Sequence, residues 1–230
     1  MKILESKEVL PLHEYRFIEP GSVVFLTGTP LSGKSTIAPI VSMQIENCAM
    51  QHMDVIRLLS QQIELIKPEG QRNNLVMFGS TDAYTQIGDG TYSDAALIEG
   101  YKQYSKAVTK HFFAVLNQLN PEDISNMFIE GVQLLPEIVA PYLQSHPGLL
   151  IILTSNNNTL QTRVEERYID PTVQSKYRPK MLQLIQDTLL DQSKIISQKN
   201  LLVIKNNLEP LNTANAIIKS LIKKRVLLPR

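Results

Sequence analysis

Short apolar runs alternate along the chain with longer stretches in which apolar residues recur every three or four positions. Continuous apolar runs are typical of strands buried on both faces, and helices between such strands favour parallel pairing. The pattern therefore predicts an α/β fold in which a parallel sheet is covered by helices on both faces. The predicted strands are Val23–Thr27, Cys48–Met53, Met127–Glu130, Leu149–Thr154 and Leu201–Lys205.

Helical spacing is clearest over Asp94–Leu119, where apolar residues recur on one face and Ser93 precedes the first turn as a predicted N-cap. Further helices are predicted at Lys176–Gln198 and at Ala214–Arg225. The stretch Gly79–Asp94 is rich in Gly, Ser, Thr and Asp, which indicates a loop. No segment has the composition of an interdomain linker, so we expect one domain spanning residues 1–230.

Composition excludes several classes of protein. The 230 residues carry 23 Lys and Arg against 22 Asp and Glu, a net charge of +1, whereas coating nucleic acid or an anionic membrane needs a strong positive field. No apolar run approaches the roughly 20 residues that span a bilayer, and the N-terminus lacks the apolar core of a signal peptide. The single cysteine, Cys48, suits a reducing compartment. We expect a soluble cytoplasmic protein with no nucleic-acid or membrane partner.

The strongest motif is G-T-P-L-S-G-K-S at Gly28–Ser35, which fits the phosphate-loop pattern G-x-x-x-x-G-K-[ST] without a mismatch. It follows the predicted strand Val23–Thr27 and precedes a helical stretch from Lys34 to Ile45. Strand, loop and helix in this order are the context that a phosphate loop requires.

Each residue type in the motif has a physical role. Gly28 and Gly33 permit backbone conformations closed to residues with a Cβ, so that successive N–H groups turn inward and form an anion site at a helix N-terminus. Lys34 supplies a charge for the β- and γ-phosphates, and Ser35 a hydroxyl ligand for Mg²⁺. We therefore expect ATP and Mg²⁺ as cofactors. The expected nucleotide-binding residues of this segment are Gly28, Thr29, Pro30, Leu31, Ser32, Gly33, Lys34, Ser35 and Thr36.

A phosphate loop alone is compatible with GTPases, motors and kinases. The guanine-reading N-K-x-D element is absent, because the polar run after the fourth predicted strand is T-S-N-N-N-T. No dense basic or aromatic segment indicates a helicase or translocase. A kinase acting on a small molecule remains.

Charged residues follow the second and third predicted strands. Asp54 can accept a proton from a substrate hydroxyl or hold that hydroxyl in line, and Arg57 suits a phosphate or carboxylate. Glu130 ends the third strand, where it can hold a Mg²⁺-bound water or assist the base. The structural alternatives are that Asp54 is a helix cap, Arg57 a surface residue and Glu130 a solvated carboxylate.

Arginines that close over ATP would neutralise charge on the transferred group. Arg163 and Arg167 lie four residues apart on one predicted helix, and Arg178 follows after a short break. Alternatively, Arg163 and Arg167 form local surface pairs with Glu165 and Glu166.

The segment I-E-G-V-Q-L-L-P at Ile129–Pro136, taken with the phosphate loop and H-M-D-V-I-R at His52–Arg57, resembles 2-phosphoglycerate kinases. It is also similar to the zeta-toxin-like and gluconate-kinase-like P-loop kinases. The segments Lys176–Asp187 and Leu201–Asn207 resemble this family's helix and last strand. Gln133 stands where the phosphoglycerate-kinase pattern has His.

The resemblance implies a three-layer P-loop NTPase fold with a five-stranded parallel sheet of the nucleoside-monophosphate-kinase type. It implies an N-terminal extension over residues 1–21, a helical substrate cap over about 79–120 and a lid over about 155–180. By the same likeness Lys34 and Ser35 bind nucleotide and metal, Asp54 and Arg57 face the acceptor, and Glu130 lies near the metal. The lid candidates are Arg163, Arg167 and Arg178.

The expected function is an ATP- and Mg²⁺-dependent transfer of the γ-phosphoryl group to a hydroxyl of a small, anionic metabolite, such as a 2-phosphoglycerate-like compound or a sugar acid. One alternative is an ATP-binding regulatory protein or degenerate kinase without acceptor chemistry. Another is a zeta-toxin-like kinase acting on a nucleotide-sugar. The sequence leaves the oligomeric state open.

Overall fold

The computed structural model describes residues 12–120, 122, 125–207 and 209–230. The first eleven residues of the expected N-terminal extension lie outside these ranges. No helix among the described residues is long and apolar enough to cross a membrane.

Five parallel strands form the central sheet, and a separate antiparallel pair joins the two ends of the chain. The order across the sheet is β3-β4-β2-β5-β6, with β2 in the centre. The sheet confirms the expected five parallel strands. Their bounds differ from the predicted ones by at most one residue at an end, and Met53 begins a helix instead of ending β3. The strands are β1 (Tyr15–Phe17), β2 (Val23–Gly28), β3 (Cys48–His52), β4 (Asn126–Glu130), β5 (Gly148–Thr154), β6 (Leu201–Lys205) and β7 (Leu227–Pro229).

Eight α-helices connect and cover these strands in the described ranges. Helices α1 and α8 pack on one face of the sheet, while α3, α4 and α7 pack on the other. The bounds are α1 (Lys34–Ser42), α2 (Met53–Leu65), α3 (Asp94–Leu116), α4 (Pro136–Ser145), α5 (Asn157–Arg167), α6 (Pro171–Gln174), α7 (Pro179–Gln192) and α8 (Pro210–Lys223).

The central strand β2 shows why a continuous apolar run suits this position. Val23 and Phe25 belong to the apolar layer beneath α3, α4 and α7, whereas Val24 and Leu26 belong to the layer beneath α1 and α8. Successive side chains point to opposite faces of a strand. All six residues of β2 are buried, so the sheet is the middle of three layers.

Helix α3 confirms the prediction made for it. It begins at Asp94, and the Ser93 hydroxyl oxygen accepts a hydrogen bond from the Ala96 N–H at 3.0 Å, as an N-cap does. It ends at Leu116, three residues before the predicted Leu119.

Helices α7 and α8 were predicted with wrong bounds, and proline explains where each begins. Helix α7 begins at Pro179 instead of Lys176, because the residue before a proline is disfavoured in helical conformation. It ends at Gln192, six residues before the predicted Gln198. Helix α8 spans Pro210–Lys223 instead of Ala214–Arg225, since proline is favoured at the first helical position. The α7 error matters for function, because it changes the setting of Arg178.

Candidate active site

The phosphate loop follows β2 at the carboxyl edge of the sheet and ends in α1. Gly28 has φ of +156°, and a Cβ there would lie 2.6 Å from both the Leu153 carbonyl oxygen and the Ser32 hydroxyl oxygen. Gly33, at the N-cap of α1, has φ of +92°. Both glycines of the motif are therefore required by the backbone path.

The Lys34 side chain is folded back into its own loop. It is only 6% exposed, and its Nζ donates to the Thr29 carbonyl oxygen at 2.8 Å and to the Ser32 hydroxyl at 3.4 Å. Burial lowers the pKa of Lys34 to about 8, and the nearby Glu130 carboxylate offsets part of that effect. A cation that is this poorly solvated is strongly stabilised by a bound anion.

Ser35 and Glu130 lie together at the ends of neighbouring elements. The Ser35 hydroxyl donates to Glu130 Oε1 at 3.3 Å, and the Glu130 carboxylate is almost fully buried. Two oxygen donors in this arrangement fit Mg²⁺, which takes few protein ligands and completes its shell with phosphate and water.

His52 is a partner of this carboxylate that the sequence analysis did not identify. Its Nδ1 lies 2.7 Å from Glu130 Oε1. His52 and Glu130 are paired residues at the ends of the adjacent strands β3 and β4. The sequence signal for this contact was that each residue is the last of its strand. Recognising it required the strand order.

Asp54 lies on the first turn of α2, and Arg57 follows it about one turn later. The Arg57 Nε is 3.8 Å from Asp54 Oδ1, and the Asp54 carboxylate is 71% exposed. Asp54 is not the helix cap, because His52 holds the N-cap position. Its carboxylate therefore does not have the capping role that was the structural alternative for Asp54.

Gln133 lies behind these two residues and is 1% exposed. Its Nε2 donates to the Tyr104 hydroxyl at 2.9 Å and approaches Asp54 Oδ1 at 3.5 Å. Its Oε1 is buried and has no protein partner. A buried acceptor without a donor is costly unless a bound molecule supplies one.

Two cavities meet at the phosphate loop. The first, about 370 Å³, extends along the start of α1 toward Arg163, Asn206 and Pro210. The second, about 290 Å³, is lined by residues from α2, the ends of β4 and the expected cap and lid. Both are lined by Leu31, Lys34, Ser35 and Arg167. The second also contains Asp54, Arg57, Glu130 and Gln133.

The three predicted lid arginines occupy different settings. Arg167 lines both cavities. Arg163 lines the first and donates to the Leu31 and Asn206 carbonyl oxygens at 3.1 and 3.0 Å and to the Ser155 hydroxyl at 3.2 Å. None of these three bonds is to a glutamate of its own helix. Arg178 is exposed, precedes α7 and lines neither cavity.

Asn206, just after β6, is a second site residue that the sequence analysis did not identify. It is buried, its Nδ2 donates to the Ser32 carbonyl oxygen at 2.6 Å, and its Oδ1 accepts from the Thr213 hydroxyl at 2.8 Å. Asn206 therefore ties the phosphate loop to the end of β6 and to α8. The available signal was a polar residue directly after a predicted strand at this edge.

Solved structures with a similar fold include kinases of small molecules. A gluconokinase from Sinorhizobium meliloti 1021 matches with a TM-score of 0.49 and 10% identity, over 89% of this chain and 94% of that one. A thymidylate kinase from Candida albicans matches with a TM-score of 0.49 and 12% identity, over 92% and 96%. A shikimate kinase from Acinetobacter baumannii, in complex with shikimate, gives 0.48 and 12%, over 90% and 94%.

No protein-family model matches the chain, and the search of curated proteins found no significant match. Identities this low bear on the fold alone. The function depends on the site geometry described above.

Proposed function

We propose that the chain is an ATP- and Mg²⁺-dependent phosphotransferase that moves the γ-phosphoryl group to a hydroxyl of a small anionic molecule. The observation that carries the proposal is the meeting of two cavities at Lys34, Ser35 and Arg167. A transferase of this kind needs a donor site and an acceptor site that share the point where the phosphoryl group passes.

On the donor side, the loop N–H groups and Lys34 would bind the β- and γ-phosphates. The ammonium would exchange its contacts with Thr29 and Ser32 for phosphate oxygens. Ser35 and Glu130 would hold Mg²⁺, which supplies charge neutralisation for the phosphate oxygens when bound. Arg167 would face the transferred group from the other side.

On the acceptor side, Asp54 would orient the acceptor hydroxyl and take its proton as the oxygen attacks. Arg57 would bind an anionic group of the same molecule, because its guanidinium can pair with a carboxylate or a phosphate. Arg57 is the cation of this cavity's lining that the donor side does not use. It supports an anionic acceptor, and we propose a 2-phosphoglycerate-like compound or a sugar acid.

The test compares Asp54→Asn with Asp187→Asn, an exposed carboxylate on α7 outside both cavities. We expect Asp54→Asn to lower kcat by about 100-fold or more, as loss of a general base does, and to leave the Kd for Mg-ATP nearly unchanged. Asp187→Asn should behave like the unmodified protein. Equal turnover in both variants would remove Asp54 from the chemistry.

The acceptor itself is sought by incubating the protein with labelled ATP and a panel of phosphorylated acids and sugar acids. Lys34→Ala should abolish transfer while the fold survives. Nucleotide binding without transfer to any compound would replace the proposal with an ATP-binding regulator or degenerate kinase. Growth arrest on expression, with transfer to a nucleotide-sugar, would favour the toxin-like alternative.

A further inference from the structure

The first turn of helix α2 packs Met53 and Ile56 on the core, but its second half turns Ser60 and Glu64 toward the protein and most of its apolar residues toward solvent. Ser60 and Glu64 are buried beneath the helix, together with Met53. An ordinary surface helix has the opposite arrangement, with the apolar stripe facing the core. The orientation of α2 therefore needs its own explanation.

Hydrogen bonds fix the inward face of α2. The Ser60 hydroxyl donates to the Val108 carbonyl oxygen of α3 at 3.2 Å, and Gln61 Nε2 donates to the Val76 carbonyl oxygen at 2.9 Å. Glu64 accepts from the Asn73 N–H at 2.7 Å and pairs with Lys67. The last turn and a half of α2 is thus held with its polar side inward.

The outward face forms a continuous apolar surface, here named the α2 surface. Its members are between 37 and 84% exposed. Val55, Leu59, Gln62 and Ile66 recur at intervals of four, three and four, which places them in one row along the helix. The α2 surface comprises Val55, Leu58, Leu59, Ile63, Leu65 and Ile66, with Gln62 among them.

The area and the charge of the α2 surface define what can cover it. Six large side chains at these exposures present about 500–600 Å², at the upper end of the patches found on monomers. None of its members is charged, and the only exposed charge on α2 is Asp54 at its first turn. An anionic partner such as nucleic acid would find no cation on this surface.

We propose that the α2 surface binds the α2 surface of a second copy of this chain about a two-fold axis. Two such surfaces bury about 1,000–1,200 Å² from these side chains alone, and a rim brings the total into the usual range of about 1,200–2,000 Å². An uncharged apolar face is complementary to itself, because a two-fold axis sets each patch against the same patch without like-charge repulsion.

The shape of the helix supports the same arrangement. A helix of 13 residues is about 20 Å long, so two antiparallel copies can cover each other along their whole length. Gln62 lies near the middle of the row, and its amide carries both donors and acceptors. Two such amides that meet near the axis satisfy each other.

The test measures molecular mass by light scattering and by sedimentation over about a hundred-fold range of concentration, because a dimer dissociates on dilution. The unmodified protein should be a dimer. Leu59→Arg and Ile66→Glu each place two charges in the interface, one from each copy, and should raise the dimer dissociation constant by about 100-fold or more. Val115→Arg, at an exposed apolar residue of α3 outside the surface, is the matched control and should leave the dimer intact.

Ile66 follows the last helical residue and is 84% exposed, so its substitution leaves the fold unaffected. A monomer at every concentration, or a dimer equally stable in all three variants, would overturn the proposal. A monomer that becomes a dimer only when residues 1–11 are deleted would also overturn it, because the chain's own N-terminus would then cover the surface.

Discussion

Lys34 should take up a proton when nucleotide binds. In the free protein, burial holds its pKa at about 8, so the amine is partly neutral in mildly alkaline solution. The phosphates of ATP would replace the Thr29 carbonyl and Ser32 hydroxyl as its partners. Their negative charge would favour the ammonium and restore a high pKa.

The size of the effect follows from the two pKa values. At about pH 8.5 a group with a pKa of about 8 holds about a quarter of a proton, whereas a group with a pKa beyond about 10 holds nearly a whole one, so binding should take up about 0.7 proton. At about pH 6.5 both states are protonated and the uptake should fall below about 0.1. Nucleotide affinity should therefore weaken as pH rises through this interval.

Calorimetry measures this uptake directly. A non-hydrolysable ATP analogue with Mg²⁺ is titrated into the protein in buffers of different ionisation enthalpy, and the slope of the observed heat gives the number of protons. Lys34→Arg is the matched control, because a guanidinium stays charged throughout this range and should bind without uptake. No uptake by the unmodified protein at the higher pH, or the same uptake in Lys34→Arg, would refute the reasoning.

Three further predictions concern the loop and the acceptor cavity. Gly28→Ala should lower the free energy of unfolding by about 3 kcal/mol or more in urea, because the added Cβ would meet the neighbouring strand. Gly70→Ala is the control: its Cβ meets open space, so it should change the free energy of unfolding by less than about 1 kcal/mol. Asn206→Ala should lower the free energy of unfolding by about 2–4 kcal/mol in thermal unfolding and weaken nucleotide binding by about 10-fold, since it leaves two buried partners unpaired. Asn207→Ala, at an exposed residue, should lower the free energy of unfolding by less than about 1 kcal/mol. Gln133→Leu should raise the acceptor KM by about 10-fold or more without changing the Kd for ATP, because it removes the buried acceptor Oε1; an unchanged KM would assign Gln133 to packing alone.

The elements dictated by local chemistry were predictable from the sequence. The strand runs show why, because a segment such as Val23–Thr27 can bury every side chain only between two layers. The start of α3 was equally clear, since Ser93 supplies a cap directly before an amphipathic stretch. The starts of α7 and α8 were predicted wrongly because apolar spacing was given more weight than the prolines at positions 179 and 210.

The parts of the site that depend on strand order were not predictable. His52 and Glu130 are far apart in the chain, and only the pairing of β3 with β4 brings their side chains together. Asn206 likewise reaches the phosphate loop because β6 ends beside it. The predicted roles of Arg163, Arg167 and Arg178 were drawn from spacing, which could not show that Arg178 lies outside the two cavities at the phosphate loop.

The three bonds made by Arg163 bear on how the segment after β5 can move. Two of them join the middle of α5 to the phosphate loop and to Asn206 after β6, and the third joins it to Ser155 just before α5. A swing of the whole segment would break the bonds to the Leu31 and Asn206 carbonyl oxygens, which lie outside it. If this segment opens for nucleotide entry, Arg163 should therefore stay bound to the phosphate loop and to Asn206, and the movement should be confined to residues C-terminal to it.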